Sequence, residues 1–365
     1  MIRPRTDIYM NVKQALRALI FIIITLFIGV SLSYILRSNG DVKSRFTGFY
    51  AEDRNTIDVM IYGASPANAT FVPGVLWHEK GITSYSLSSN SQSAIAIRYL
   101  IDETYKYQHP QLLIIEPRMF ASDIEANLSD KAHIREVTDN LKYSLLRKRL
   151  IDALLSDDDN KIEYYADIIK YHSNIGQLLD PNEYKHFDYS YPSSSKGFAY
   201  EERVGYYKRD ESVDMDRVIP ISAEGEAVLR DLLDYAKQKQ LNVLFVSTPR
   251  VIEQEYEGNM NYIEGIVREY GYDFLNLNKH LEDMDFWYGW YFYDGVHVNI
   301  LGAYNSTIFL GDYIEKNFDI VTDHEGLDKA SWDGAYDEFM LRYEPLYAHV
   351  DWKKNYSGIP EDELQ

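Results

Sequence analysis

Short apolar runs alternate with amphipathic stretches over most of the chain. The runs are rich in strand formers and end at Gly, Ser, Pro or charged residues, which is typical of strands buried on both faces of a parallel sheet. Strand–loop–helix units in series predict an α/β fold, a doubly wound and mostly parallel sheet between two layers of helices. The predicted strands cover residues 57–62, 82–87, 112–115, 242–246 and about 274–277.

Helical spacing of apolar residues marks the stretches between these strands. A helix is predicted over about residues 94–107, and Ser222 can cap another whose apolar stripe covers residues 228–236. Two more are predicted at about residues 260–270 and 301–317. Together with the strands, these helices indicate one domain over residues 46–318.

Residues 121–220 interrupt the alternation and are interpreted as a helical insertion that covers one edge or the mouth of the site. A second helical stretch lies around residues 162–170, and residues 180–216 lack clear periodicity. The tail, residues 319–365, is acidic and aromatic and gives no clear fold signal. The first predicted helix of the insertion has four apolar positions spaced for one face, namely Ile134, Val137, Leu141 and Leu145.

The N-terminal region predicts a membrane anchor. Residues 18–36 form an uncharged run long enough to cross a hydrocarbon core of about 30 Å. Residues 1–17 carry four basic residues and one acidic residue, so the positive-inside rule keeps them in the cytoplasm and places the domain outside. A short basic and polar stalk, residues 37–45, follows. The alternative is a cleaved signal peptide, with Ser31 and Ser33 as a small-x-small cleavage site.

Composition narrows the classes of function. A net charge of −20 argues against nucleic acid as a partner, because phosphate binding needs basic patches. The absence of Cys excludes disulfides, thiol catalysis and Cys-ligated zinc. The histidines show no H-x-x-x-H spacing and no glycine-rich phosphate loop occurs, so neither a metal site nor a cofactor is predicted. The 32 Tyr and 5 Trp fit sugar-stacking surfaces or ordinary core packing.

Candidate chemistry lies at the ends of the first and last predicted strands. Ser65 follows the first strand in the sequence GASP, where small residues leave a hydroxyl accessible. Asp294 and His297 are three residues apart on a predicted turn, a spacing that lets a carboxylate orient an imidazole. Parallel strands end at one edge of the sheet, so we predict a Ser-His-Asp site there. An ordinary imidazole as base predicts activity falling on the order of pH 6 to 7.

The ordered segments GAS, SLSSNSQS, IIEPR and DGVHVNILGA resemble the motifs of the SGNH (GDSL-type) hydrolase superfamily. They are similar in particular to its membrane-anchored DltD-like and AlgJ/AlgX-like acyltransferase branch. The last segment has every position of the family's D-x-x-H-x-N-x-x-G pattern. The resemblance covers about residues 46–120 and 222–318, and it implies that Ser65 is the nucleophile, His297 the base and Asp294 its orienting acid.

The resemblance also implies an oxyanion hole, and here the sequence departs from the family pattern. The glycine of the second motif aligns with Ser88, whose backbone N–H remains a donor beside that of Ser65. The Gly-x-Asn-Asp of the third motif is missing, so its Asn donor is absent or replaced by Asn90 or Arg118. The alternatives are a loop-capping role for Asn90 and, for Arg118, a salt bridge to Glu116 or to the insertion. Arg118 and Arg250 are candidate substrate-binding residues, and a salt bridge is the alternative for Arg250 as well.

These expectations describe a single-pass protein of the cell membrane whose extracellular domain is a serine esterase or acyltransferase. Its substrate would be a surface polysaccharide or teichoic acid, with O-acetyl or D-alanyl transfer through an acyl-serine. The resemblance implies a membrane-bound O-acyltransferase as partner. A non-catalytic SGNH-like scaffold or glycan-binding protein, and a secreted esterase for small esters or lipids, are the alternatives.

Overall fold

The computed structural model describes residues 11–37, 40–185, 187, 189–322, 324 and 326–350. Its centre is a five-stranded sheet in the order β2-β1-β3-β4-β5, with every neighbouring pair parallel. The strands lie within one or two residues of their predicted positions. They are β1 (Val59–Tyr62), β2 (Ser84–Ser86), β3 (Leu112–Ile115), β4 (Val243–Ser247) and β5 (Asp273–Asn276).

The sheet separates two hydrophobic cores. Alternate residues of one strand face opposite sides, so Met60 and Tyr62 belong to one core while Val59 and Ile61 belong to the other. Strands covered on both faces must be apolar throughout, which explains why β1 reads VMIY and β3 reads LLII. The predicted α/β fold with a parallel sheet is confirmed.

Most predicted helices are present with shifted ends. Ser222 caps its helix as predicted, because its side chain accepts a hydrogen bond from the Gly225 amide at 3.0 Å. The helices outside the insertion are α1 (Val12–Leu36), α2 (Asp41–Ala51), α3 (Ser65–Thr70), α4 (Pro73–Lys80), α5 (Ala96–Thr104), α13 (Ala223–Lys239), α14 (Gln254–Glu269), α15 (Ile300–Asn317) and α16 (Lys329–His349). A 3₁₀ helix, Leu277–His280, follows β5.

The insertion is more finely divided than predicted. Ile134 lies in a helix that ends at Thr138, and Leu145 begins the next helix with its side chain 77% exposed, so the prediction that both share one apolar face is wrong for Leu145. Ser144 caps that next helix through the Arg147 amide. The helices are α6 (Arg118–Ala121), α7 (Ile124–Ser129), α8 (Lys131–Thr138), α9 (Leu145–Leu154), α10 (Ile162–Tyr165), α11 (Ile168–Tyr171) and α12 (Pro181–Lys185), with a 3₁₀ helix at Ile175–Leu179.

Part of the C-terminal tail is folded. Helix α16 packs against α4 and α15, and buries Trp332, Ala335 and Phe339. These residues recur at three- and four-residue spacing, which is a helical signal that the aromatic composition of the tail obscured. Residues 351–365 of the predicted tail lie outside the described residues.

The N-terminal helix α1 is long and apolar enough to cross a membrane. Its last turn instead packs against the insertion, where Ile35 and Leu36 are buried. The predicted stalk is likewise part of the folded domain, because Lys43 and Arg45 lie buried in α2. Residues 1–10, which carry part of the positive-inside signal, lie outside the described residues.

Candidate active site

Ser65 lies where β1 turns into α3. Ala64 has an extended backbone and Ser65 begins the helix, so the Ser65 amide has no acceptor within α3. Gly63 is required at this turn, since a Cβ there would lie 2.6 Å from the Ala67 Cβ and 2.8 Å from the Glu116 Cβ. β1 is flanked by β2 and β3, so Ser65 stands at the point where the strand order reverses.

The Asp294–His297 turn is held by the Asp294 carboxylate. Its Oδ1 accepts hydrogen bonds from the Val296 amide at 2.7 Å and the His297 amide at 2.8 Å. The same carboxylate contacts the His297 ring, with 2.9 Å between Oδ2 and Nδ1. The backbone turn and the side-chain contact therefore fix the imidazole together, and the Tyr293 ring stacks on it at 5.2 Å.

Asn299 joins this turn to the core. The buried side chain caps α15 by accepting hydrogen bonds from Leu301 and Gly302 amides, and its Nδ2 donates to the Trp290 carbonyl at 2.7 Å. Gly302 is needed because a Cβ there would lie 2.5 Å from the Tyr291 carbonyl oxygen. The Asn and Gly of the D-x-x-H-x-N-x-x-G segment are therefore positioning residues for His297.

The two ends of the domain meet at one hydrogen bond. Ser65 Oγ lies 2.7 Å from His297 Nε2, across 232 residues of sequence. With the Asp294 contact on the other ring nitrogen, the three side chains form a continuous Ser-His-Asp relay. Ser65 and His297 are half-buried, so the hydroxyl remains accessible to a ligand. This geometry is that of an activated serine nucleophile.

Burial and neighbouring charges tune the relay. Burial, the largest cause, lowers the pKa of His297 below its ordinary value; Asp294 opposes this, while the Arg118 and Arg250 charges reinforce it. Burial by itself would raise the pKa of Asp294, but hydrogen bonds from His297 and Val296 bring it below the usual range. His297 is thus neutral, as a base must be, to a lower pH than the ordinary imidazole predicted from sequence.

Ser88 and Asn90 differ as oxyanion donors. Ser88 is fully buried at the end of β2, and its carbonyl accepts a 2.8 Å hydrogen bond from the buried Arg45. Among the described residues its amide N–H has no acceptor, so this donor is free. Asn90 is exposed, and its backbone and side-chain amides both bind Glu136 of α8. Asn90 therefore joins the loop after β2 to α8 of the insertion.

The two predicted arginines are held differently. Arg250 is buried, donates to Glu253 at 3.1 Å and lies over the Tyr256 ring. The half-buried Arg118 side chain makes no hydrogen bond or ion pair with the residues that the structure describes. The predicted salt bridge from Arg118 to Glu116 is absent, since Glu116 accepts only from the Arg118 backbone amide, at 3.0 Å.

Glu116 was not predicted as part of the site. It follows β3, beside Gly63, and its buried Oε2 has no hydrogen-bond partner among the described residues. Burial raises the pKa of this carboxyl to about 7, although the Arg118 amide, Arg118 and Arg250 act in the opposite direction. The sequence signal that could have identified Glu116 is its position as a charged residue directly after a fully apolar strand.

The segment 199–207 of the insertion forms a second unpredicted part of the site. Its Gly205 pairs with Phe292, and Arg203 lies over the Tyr293 ring that stacks on His297. The Ala199 amide donates to the Asn68 carbonyl in α3. This segment of the insertion therefore contacts both α3, which begins at Ser65, and Tyr293, which stacks on His297.

No family model matches this chain, and no curated protein matches it.

Proposed function

We propose that this protein is a membrane-anchored serine acyltransferase or esterase of the SGNH type that acts on a surface polymer outside the cell. The observation that carries the proposal is the hydrogen-bonded series Ser65 Oγ, His297 and Asp294 at the carboxyl edge of a parallel sheet. The SGNH resemblance of the four sequence segments and the apolar helix α1 support it.

The proposed chemistry needs two half-reactions. Ser65 Oγ attacks the carbonyl carbon of an acyl donor and its proton passes to His297 Nε2, which returns it to the departing group of the donor. The acceptor hydroxyl then attacks the acyl-serine and gives its proton to His297, which passes it to Ser65 Oγ as the ester bond to the serine breaks. Asp294 stabilises the imidazolium in both, and the free Ser88 and Ser65 amides are the proposed donors to the oxyanion.

The proposed acceptor is a polysaccharide or a teichoic acid. Arg118, which makes no ion pair among the described residues, is a half-buried cation close enough to act on His297 electrostatically. Such a cation favours a polymer that carries carboxylate or phosphate groups. The acyl group is acetyl or D-alanyl, and a membrane-bound O-acyltransferase is the proposed source of the acyl donor.

A fluorophosphonate probe tests the nucleophile. We expect the wild-type protein to be labelled on Ser65 and Ser65→Ala to lose labelling completely, because the Ser65 hydroxyl is the one hydrogen-bonded to the His297 ring. Ser91→Ala, an exposed serine after β2, is the matched control and should label normally. A folded wild-type protein that stays unlabelled but binds the polymer would favour the non-catalytic scaffold.

Product analysis then separates transfer from hydrolysis. With an activated acyl ester as donor, transfer predicts acylated polymer only when polymer is present. Release of free acid at the same rate with and without polymer would favour the small-ester esterase.

A further inference from the structure

Exposed apolar side chains are concentrated in one part of the insertion. Outside α1, the described residues include twelve large hydrophobic side chains that are exposed, and six of them lie within residues 145–184. Leu179 is the most exposed of them at 87%. We call this set the insertion rim; it consists of Leu145, Ile162, Ile169, Ile175, Leu179 and Tyr184. Single exposed apolar residues need no explanation, but a concentration of them indicates a covered surface.

The elements that carry the rim surround the end of α1. Helix α11 and the 3₁₀ helix at Ile175–Leu179 pack directly against α1, and α10 and α12 pack against those two. Asn174 donates to the Leu36 carbonyl at 3.0 Å. Tyr143, two residues before Leu145, contacts Tyr34 of α1 edge to face at 5.7 Å. The rim therefore lies where α1 enters the domain.

The length of the exposed part of α1 determines the depth in a bilayer at which α1 would enter the domain. Its exposed apolar residues run from Val12 to Val30, and burial begins at Ser33. At 1.5 Å per residue the exposed part is roughly 28 Å long, close to the hydrocarbon thickness of a bilayer. If α1 spans a membrane, the elements around residues 33–37 lie at the boundary between acyl chains and headgroups.

A buried ion cluster attaches the insertion rigidly to α1. Arg37, directly after α1, donates from Nε to Asp167 at 2.7 Å, and Arg147 donates to the other oxygen of the same carboxylate at 2.7 Å. Tyr143 adds a hydrogen bond to Asp167 at 2.9 Å. All these groups except Tyr143 are fully or almost fully buried. The rim thus has a fixed position relative to the helix.

The cavity beside the end of α1 has a charged lining. Its volume is about 650 Å³, and six basic and three acidic side chains line it. The basic side chains are Arg37, Lys43, Arg45, Lys131, Arg135 and Lys170. Four of them form ion pairs with Asp167, Glu183, Asp159 and Asp139, so they hold the insertion and the end of α1 together rather than forming a free basic surface.

We propose that the insertion rim is seated in the outer leaflet of the membrane beside α1, with lipid as its partner. Burying apolar side chains in the acyl–headgroup boundary stabilises the contact by about 25 cal/mol per Å² removed from water. The proposal rests on α1 crossing the membrane and is independent of the acyl-transfer chemistry. It gives the part of the insertion that lies away from Ser65 a role, which is to hold the domain against the bilayer.

The natural absence of Cys makes a direct test straightforward. Leu179→Cys, in the full chain, is labelled with an environment-sensitive fluorophore in nanodiscs of phosphatidylcholine and phosphatidylglycerol. We expect quenching by brominated lipid and protection from aqueous iodide. Leu341→Cys is the matched control, because it is 76% exposed on α16, which packs on the opposite core. At position 341 we expect no quenching by brominated lipid and full access of aqueous iodide.

Equal access of iodide to positions 179 and 341 would overturn the proposal. Protection of position 179 in native membranes but not in pure-lipid nanodiscs would also overturn it, since a protein would then be the partner. A chain that does not stay bound to the nanodisc would contradict the premise that α1 crosses the membrane, and with it the proposal. Ile175→Cys, 63% exposed on the same 3₁₀ helix, repeats the measurement in case the first variant does not fold.

Discussion

Charged residues are used in opposite ways at the triad edge, the sheet edge that carries Ser65 and His297, and in the docking region, where the end of α1 meets the insertion. In the docking region both oxygens of Asp167 are occupied by Arg37, Arg147 or Tyr143. At the triad edge, Glu116 Oε2 is buried without a partner and the Arg118 side chain is unpaired among the described residues. Satisfied buried charges fix architecture, whereas unsatisfied ones beside a nucleophile are available to a ligand.

The two regions also differ in how far their contacts reach. The Asp294–His297 pair is local, three residues apart, and only its bond to Ser65 is long-range. The docking region depends wholly on long-range pairs, since 130 residues separate Arg37 from Asp167. Changes to the Ser-His-Asp side chains should therefore affect the rate, whereas changes to the docking region should affect stability.

The largest effect is expected at Asp294. Asp294→Asn should lower kcat by about 10³- to 10⁴-fold, because the amide no longer stabilises the imidazolium or selects its tautomer. Steady-state ester hydrolysis measures this. Asp283→Asn is the matched control, since Asp283 contacts His280 at the same spacing on the surface. Similar losses in both variants would contradict the assignment of the triad.

Asp167→Asn should leave the rate per folded molecule within about twofold but lower the free energy of unfolding by about 3 to 5 kcal/mol. The buried Arg37 loses its ion pair with Asp167, and the buried Arg147 loses the nearer of its two carboxylates and keeps Asp139 at 3.7 Å. Urea unfolding in detergent measures the change. Asp152→Asn breaks an exposed ion pair with Lys148 and should cost less than about 1 kcal/mol. A loss of rate with unchanged stability in Asp167→Asn would contradict the structural role assigned to Asp167.

Glu116→Gln tests the unsatisfied carboxyl. In the folded state its pKa is about 7, above its unfolded value, so the neutral form stabilises the fold at low pH and this contribution is lost as the pH rises toward 7. Glutamine does not ionise, so the stability of the variant relative to wild type should increase by about 3 kcal/mol between pH 4 and pH 8. Urea unfolding of both chains over this pH range measures the trend, and a stability difference that does not change with pH would contradict the raised pKa of Glu116.

The smallest effect concerns the acid limb of the rate profile. Because burial and the two arginines lower the pKa of His297, kcat/KM should fall at a lower pH than it would with an ordinary imidazole as base. Arg118→Gln removes one positive charge and should move the limb to higher pH. An acid limb that stays in place in Arg118→Gln, measured on a neutral ester, would show that Arg118 does not act on His297.

The sequence by itself determined the sheet and the identity of the relay. Apolar runs bounded by turn residues located all five strands, since strands buried on both faces admit few polar residues. Ser65, Asp294 and His297 could be predicted because each lies in a short local sequence motif at a strand end or a turn. The helix α16 was readable in principle from Trp332, Ala335 and Phe339.

Only the tertiary structure decided the surroundings. Asn90 binds Glu136, Glu116 is buried beside Gly63, and Arg37 binds Asp167, and none of these pairings follows from local spacing. The physical reason is that burial and partners of a charged residue depend on which distant elements pack around it. Sequence patterns record the faces of helices and strands, whereas the contacts between those faces arise only when the chain is folded.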